Sequence, residues 1–190
     1  MTAKNYHHGD LRAALVEAGL ALVEESGGDE VALREVARRV GVSATAVYRH
    51  FPDKNALMAA LAQAGLQRLA EVQREASEQA GGGIAGFNAT GVAYVRFALD
   101  NPGLFRLVFA HPPRPEIKGG LHAEDDAMVM LKTAAAALAP AGIDPGIFAL
   151  QSWSLAHGLA MLMLDKQITL DAAAIEEVID MHGLIGKFPR

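Results

Sequence analysis

The chain has 190 residues, of which 51% are apolar and 21% charged, with a formal net charge of −5. That apolar share excludes a disordered tail and builds a real core, as one compact unit or two small helical ones, with enough left over that a partner chain is expected to cover some of it. There is no cysteine, which excludes disulfides and thiolate chemistry and fits a reducing cytoplasm.

The first ten residues hold Lys4, Tyr6, His7 and His8 and no apolar run, so no secretory signal is expected. The longest apolar stretches, such as residues 155–164, are about ten residues long against the ~18 a bilayer requires, so no membrane span is expected either. Asp10 is placed to cap a first helix, in which Leu11, Leu15, Ala18 and Leu22 recur at helical spacing and which Gly27-Gly28 stops. A second helix over 33–40 aligns Leu33, Val36, Ala37 and Val40 on one stripe. Gly41 then supplies a left-handed turn residue, and Ser43 is a good N-cap for a third helix over 44–51.

Burying Ala44, Val47 and Phe51 of that third helix leaves Thr45, Ala46, Tyr48 and Arg49 facing outward. Small side chains at a helix start let the backbone approach base edges, while longer ones behind them reach phosphates. Local charge agrees. Over 34–54, the five cations Arg34, Arg38, Arg39, Arg49 and Lys54 meet only Glu35 and Asp53, a cationic patch on an acidic chain.

The run from Leu33 to Ser43, followed by Ala44-Thr45-Ala46-Val47-Tyr48-Arg49-His50-Phe51-Pro52-Asp53-Lys54, resembles the TetR-family DNA-binding domain, densely over about residues 6–60. The resemblance implies base or groove contacts from Arg34, Ala44, Thr45 and Ala46, and phosphate contacts from Ser43, Tyr48, His50 and Lys54. One residue departs from the pattern: Ala32 stands where the family usually has a Ser or Thr cap, opposite Glu35.

The remainder reads as helical throughout. A long helix over 53–79 ends at Gly81-Gly82-Gly83, another covers 84–100 and stops at Asn101-Pro102, and a short one follows through Leu104, Phe105 and Val108. His111-Pro112-Pro113-Arg114-Pro115 reads as a stiff loop. A further helix carries Leu121, Met128, Leu131, Ala135 and Leu138. Asp144-Pro145 then opens a helix through Leu164, and a last one runs from Asp171 to about Gly186. The fold class expected is all-α with about nine helices: a helix-turn-helix DNA-binding domain over 1–55 and an effector-binding and dimerisation domain over 56–190.

The helix after Asp144 has two apolar stripes, Phe148/Leu155/Leu159/Leu162 and Leu150/Trp153/His157/Met161/Leu164, which implies burial on two sides. With the last helix, this is the material of a four-helix dimer seam, the role the TetR resemblance gives the last two helices. The expected homodimer interface is Phe148, Leu155, Leu159 and Leu162 with Ile175, Val178, Ile179 and His182. The C-terminal half also resembles a subgroup named for a Trp-His-Gly motif, here Trp153, His157 and Gly158.

Two readings of Trp153 and His157 stand side by side. They line a small-molecule pocket with Tyr94, Phe97, Phe105, Met128 and Met161, or they are core, with His157 satisfied by a backbone carbonyl. His122, Glu124, Asp125 and Asp126 look like metal ligands, but acids in a first helical turn complement the helix dipole, so no metal is expected and no cofactor. No phosphate loop, nucleophile elbow or zinc-type His-Glu-x-x-His occurs, so no enzyme is expected. The expected function is a ligand-responsive transcriptional regulator, a repressor released from double-stranded palindromic operator DNA by a small apolar effector. The alternative is a helical ligand-binding or scaffolding protein that does not touch DNA.

Overall fold

The computed structural model of the chain describes residues 8–27, 31–110, 126–180 and 183. Among them it is all-helical: α1 (His8–Ser26), α2 (Leu33–Val40), α3 (Ala44–Tyr48), α4 (Lys54–Gln79), α5 (Gly83–Asp100), α6 (Pro102–Ala110), α7 (Asp126–Leu138), α8 (Pro145–Leu164) and α9 (Ala172–Ile179). These helices divide into two compact units. The first holds α1 to α3, α4 as far as Gly65, and α6; the second holds α4 from Leu66, α5, α7, α8 and α9.

In the first unit the apolar stripes converge on one core. Leu15, Leu20 and Val23 of α1, Val36 and Ala37 of α2, Val47 of α3, Phe51, and Leu57 and Leu61 of α4 are all buried. Burying each large side chain is worth roughly 1.5–3 kcal/mol, enough to hold short helices that would not form alone. The α2–α3 turn is built as its residues dictate: Gly41 adopts φ +76°, and the Ser43 hydroxyl accepts the Ala46 N–H at 3.2 Å. Buried Leu104, Phe105, Leu107 and Val108 bring α6 into this unit, so the compact body reaches past the boundary expected at residue 55.

In the second unit α5 lies against α8 and α9, with α7 also on α8. Phe87 stacks on Phe148 at 5.3 Å between ring centroids, within a cluster that takes in Ala135 and Ala149. Asp144 and Asp171 cap α8 and α9 through the N–H groups of Ile147 and Ala174, at 3.0 and 2.9 Å.

Some helix ends differ from expectation. Helix α1 begins at His8, so Asp10 lies inside it and does not cap it. Helix α3 stops at Tyr48 and not at Phe51, because Phe51 precedes Pro52, whose ring disfavours helical geometry in the residue before it. Helix α9 ends at Ile179, with Asp180 at ψ 79°; Gly183 is again helical, and the expected end at Gly186 lies outside the described residues. The 111–115 loop, Leu121, His122, Glu124, Asp125 and His182 lie outside the described residues.

Helix α8 is also, by length and composition alone, long and apolar enough to cross a membrane, which the sequence expectation had excluded by counting only the run 155–164. Phe148, Ala149, Ala156 and Ala160 nevertheless pack it into a helical core.

Candidate nucleic-acid interface and effector cluster

The α2–α3 pair sets out its polar side chains much as the spacing required. Val47 anchors α3 from beneath; Thr45, Tyr48 and Arg49 are exposed, with Tyr48 at 49%, and Ala44, Ala46 and His50 are half-buried. A phenol turned half into solvent from a helix of five residues adds little to the core. Arg34 is exposed in the first turn of α2, and Lys54 opens α4, whose first turn is capped by Asp53 accepting the Ala56 N–H at 2.8 Å. Ser43 has a structural task as the cap of α3, so its hydroxyl oxygen is engaged within the fold.

The cationic patch is smaller than its sequence count. Arg38 donates to both carboxylate oxygens of Glu35, and Arg39 donates to Glu25 at 2.7 Å. The hydrogen bond from Arg38 holds the Glu35 carboxyl below its ordinary value. Glu35 thus serves an exposed ion pair instead of a capping box, and Ala32 supplies no side-chain cap to α2. Arg34 and Arg49 are exposed and make no ion pair among the described residues.

The second cluster joins α5 to α8. The Trp153 indole N–H donates to the Tyr94 hydroxyl at 3.4 Å, and that hydroxyl lies 2.8 Å from Nδ1 of His157. Burial pushes the His157 pKa below its ordinary value, favouring the neutral ring. A neutral imidazole that accepts the Tyr94 proton at Nδ1 carries its own proton on Nε2, and the other tautomer donates from Nδ1 to the phenol oxygen. The partner of Nδ1 of His157 is therefore a phenol on another helix. Tyr94 is buried, while Trp153 and His157 are half-buried.

Of the other residues expected at a pocket, Phe97 and Met128 are buried and Met161 is half-buried in the same unit. Phe105 belongs to the first unit, fully buried, with its ring 4.8 Å from Phe109.

The expected dimer residues separate into two groups. Phe148, Leu159, Ile175 and Ile179 are turned into the core of their own protomer, exposed by no more than 5%, so they are not surface groups. Leu155 is half-buried, and Leu162 and Val178 are exposed, at 47% and 39%. The face that α8 leaves uncovered also shows Ile147 and Leu150, which are not in the expected interface. A helix apolar all round gives periodicity no way to decide which side its own chain covers.

Two further features were missed. Glu24 and Glu25, at the end of α1, reach α6 and α2. Asn88 of α5 donates to Asp180 at 2.9 Å, across 92 residues of sequence. Neither carries a local sequence signal, since each partner is supplied by tertiary folding alone.

A three-helix unit with a capped, outward-facing reading helix, joined to an apolar helical unit, defines a helix-turn-helix regulator. Comparison with known proteins agrees at both ends of the chain. Residues 15–61 match the model of bacterial regulatory proteins of the tetR family, and residues 87–182 match that of the tetracyclin repressor-like C-terminal domain, a description that does not name the Trp-His-Gly subgroup. The chain belongs to the TetR family and is a ligand-responsive, DNA-binding transcriptional regulator that acts as a homodimer.

Among solved structures, a protein of unknown function from Rhodococcus sp. RHA1 is 28% identical, with 97% of this chain and 98% of that one covered and a TM-score of 0.79. A tetR-family transcriptional regulator from Streptomyces coelicolor shares the fold at 21% identity, covering 98% and 82%, with a TM-score of 0.68. So does a TetR variant from Acinetobacter baumannii AYE in complex with minocycline, at 20% identity, covering 96% and 94%, with a TM-score of 0.59.

Proposed function

We propose that the protein is a cytoplasmic repressor, without enzymatic activity, that a small apolar effector releases from a palindromic operator. The observation that carries this reading is the exposed row Thr45, Tyr48 and Arg49 on a capped α3, with Arg34 exposed on α2. Thr45 and Ala46, with Ala44 and Arg34, read base edges. Tyr48, Arg49, His50 and Lys54 hold phosphates, with Ser43 acting through the α3 amides that it orients. The DNA-binding function belongs to the first 55 residues, on a body that α6 completes.

The homodimer seam is the uncovered side of α8, where Ile147, Leu150 and Leu162 flank Ser154 and the open surface of Gly158, with Val178 of α9 beside them. Small residues between large ones let two such helices approach closely. Two recognition helices must then reach successive major grooves, ~34 Å apart, so their separation controls affinity. An effector beside Trp153 that favours another separation releases the DNA, with couplings of ~1–3 kcal/mol typical. The Tyr94, Trp153 and His157 trio, in a unit that also holds Phe97, Met128 and Met161, supports an apolar ligand oriented by a few polar groups. The minocycline complex of the Acinetobacter relative supports a small-molecule effector.

The test is selection of bound sites from a randomised duplex pool, followed by titration of the recovered duplex at several salt concentrations. A palindromic site whose affinity falls steeply with salt is expected. Recovery of no duplex above background would return the protein to the class of helical ligand-binding proteins.

A further inference from the structure

Helix α1 ends in two adjacent acids that engage different helices. The backbone N–H of Leu104 donates to Glu24 Oε1 at 2.9 Å, and Arg39 of α2 donates to Glu25 Oε1 at 2.7 Å. Leu104 is the third residue of α6, so its amide is among those a helix leaves without an internal partner. A carboxylate in that place is favoured twice, by a charge-assisted hydrogen bond and by the positive end of the helix dipole.

The seat of α6 is equally close on another side. A Cβ added at Gly65 of α4 would stand 2.7 Å from both Leu104 Cδ1 and Val108 Cγ2, so α6 packs closely on α4 at this glycine. Only Asn101 separates the end of α5 at Asp100 from the start of α6 at Pro102, and Tyr94 of the effector cluster lies on α5.

We propose that Glu24 is a positioning residue. With Glu25 it forms a bracket that fixes α6 and α2 to the end of α1, so that the placing of α6 is passed to the helices that read DNA. The role in transmission rests on the regulator reading above; the bracket itself does not.

Two measurements on the full chain separate these parts. Glu24→Ala should speed hydrogen exchange at the Leu104 amide by about tenfold or more, Glu24→Gln, which keeps the acceptor oxygen, should restore much of the protection, and Glu25→Ala should leave Leu104 unchanged. Gly65→Ala, which crowds the same turn from α4, should also speed it. Unchanged exchange in Glu24→Ala overturns the bracket.

The second measurement uses the duplex recovered by the unmodified protein and the emission of Trp153, the only tryptophan in the chain. Because coupling is reciprocal, DNA bound by the first unit must alter the effector unit that the effector would alter. Operator binding should therefore shift Trp153 emission in the unmodified protein. Glu24→Ala should bind the duplex within about threefold while losing at least half of that shift, and Glu24→Gln should recover it. A full shift in Glu24→Ala, or none in the unmodified protein once DNA is bound, overturns transmission through Glu24. An unmodified protein that binds no duplex overturns the regulator reading, and the exchange result then decides the bracket alone.

Discussion

The two units put their polar groups in opposite places. The first surrounds a small apolar core with exposed Arg34, Thr45, Tyr48 and Arg49, a surface suited to a polar, anionic partner. The second keeps its polar trio of Tyr94, Trp153 and His157 half or wholly inside and turns Ile147, Leu150 and Leu162 to the surface of α8. In the reading proposed above, effector and second protomer are both met through apolar surface. Affinity in the first unit is thus set by single side chains at a rim, and in the second by how faces fit, which makes its energetics larger and less divisible.

The contrast within α8 should give the largest effects. Leu159→Asp places an unpaired charge in the protomer core and should cost at least ~3 kcal/mol, seen as a fall in melting temperature with loss of helical signal. Leu162→Asp, three residues along but on the exposed side, should leave the helical signal intact and convert dimer to monomer in sedimentation at micromolar concentration. The comparison breaks if the two variants behave alike, and a dimeric Leu162→Asp protein would place the seam elsewhere.

Smaller effects are expected at the DNA face, and they should differ in kind. Lys54→Ala should weaken binding to every duplex and lower the salt slope by about one, since one phosphate contact is lost. Thr45→Ala should change which duplex is preferred, by ~1–3 kcal/mol at the base it reads. A salt slope unchanged in Lys54→Ala would remove that residue from the phosphate contacts.

What the sequence made legible follows from range. Helix α2 and the caps at Ser43 and Asp144 were read correctly because each depends on neighbours within one turn. The orientation of α8 was not, because Phe148 and Leu162 are equally apolar and only the packed fold tells them apart. The placing of α6 depends on Glu24, 80 residues away, and the pairing of His157 on Tyr94, 63 residues away. Arg38 and Arg39 counted as free cations in the sequence, yet ion pairs occupy both. Motif reading therefore placed the exposed side chains of α2 and α3 one by one, and placed the second unit only as an apolar region.

Helix α2 offers a gain in stability where its local signal is weak. Ala32 already has the extended geometry of an N-cap, φ −94° and ψ 134°, and gives no side-chain bond to the helix. Ala32→Ser should stabilise the protein by ~0.5–1 kcal/mol, measured by chemical denaturation. The effect should appear in the first unit alone, and no change in the denaturation midpoint would mean that solvent already satisfies those amides as well.

The smallest effect expected is a dependence of the second unit on pH, and its sign is fixed by the trio. Burial lowers the folded pKa of His157 below the ordinary value of 6.5, so between those two values the unfolded chain holds a proton that the folded chain refuses. Stability rises with pH wherever the unfolded state binds more protons. The contribution is therefore complete above about pH 6.5 and is lost as pH falls toward the folded pKa. His157 is half-buried, so solvent screening keeps the effect small. Where Nδ1 accepts from Tyr94, protonation also removes that acceptor, which leaves Tyr94 to find another partner for its proton. Melting followed through Trp153 emission should show a midpoint that drops between pH 7 and pH 5. His157→Gln, which keeps a polar group but does not titrate, should flatten that drop while the rest of the acid response remains. An identical pH profile in the variant would show that His157 does not carry it.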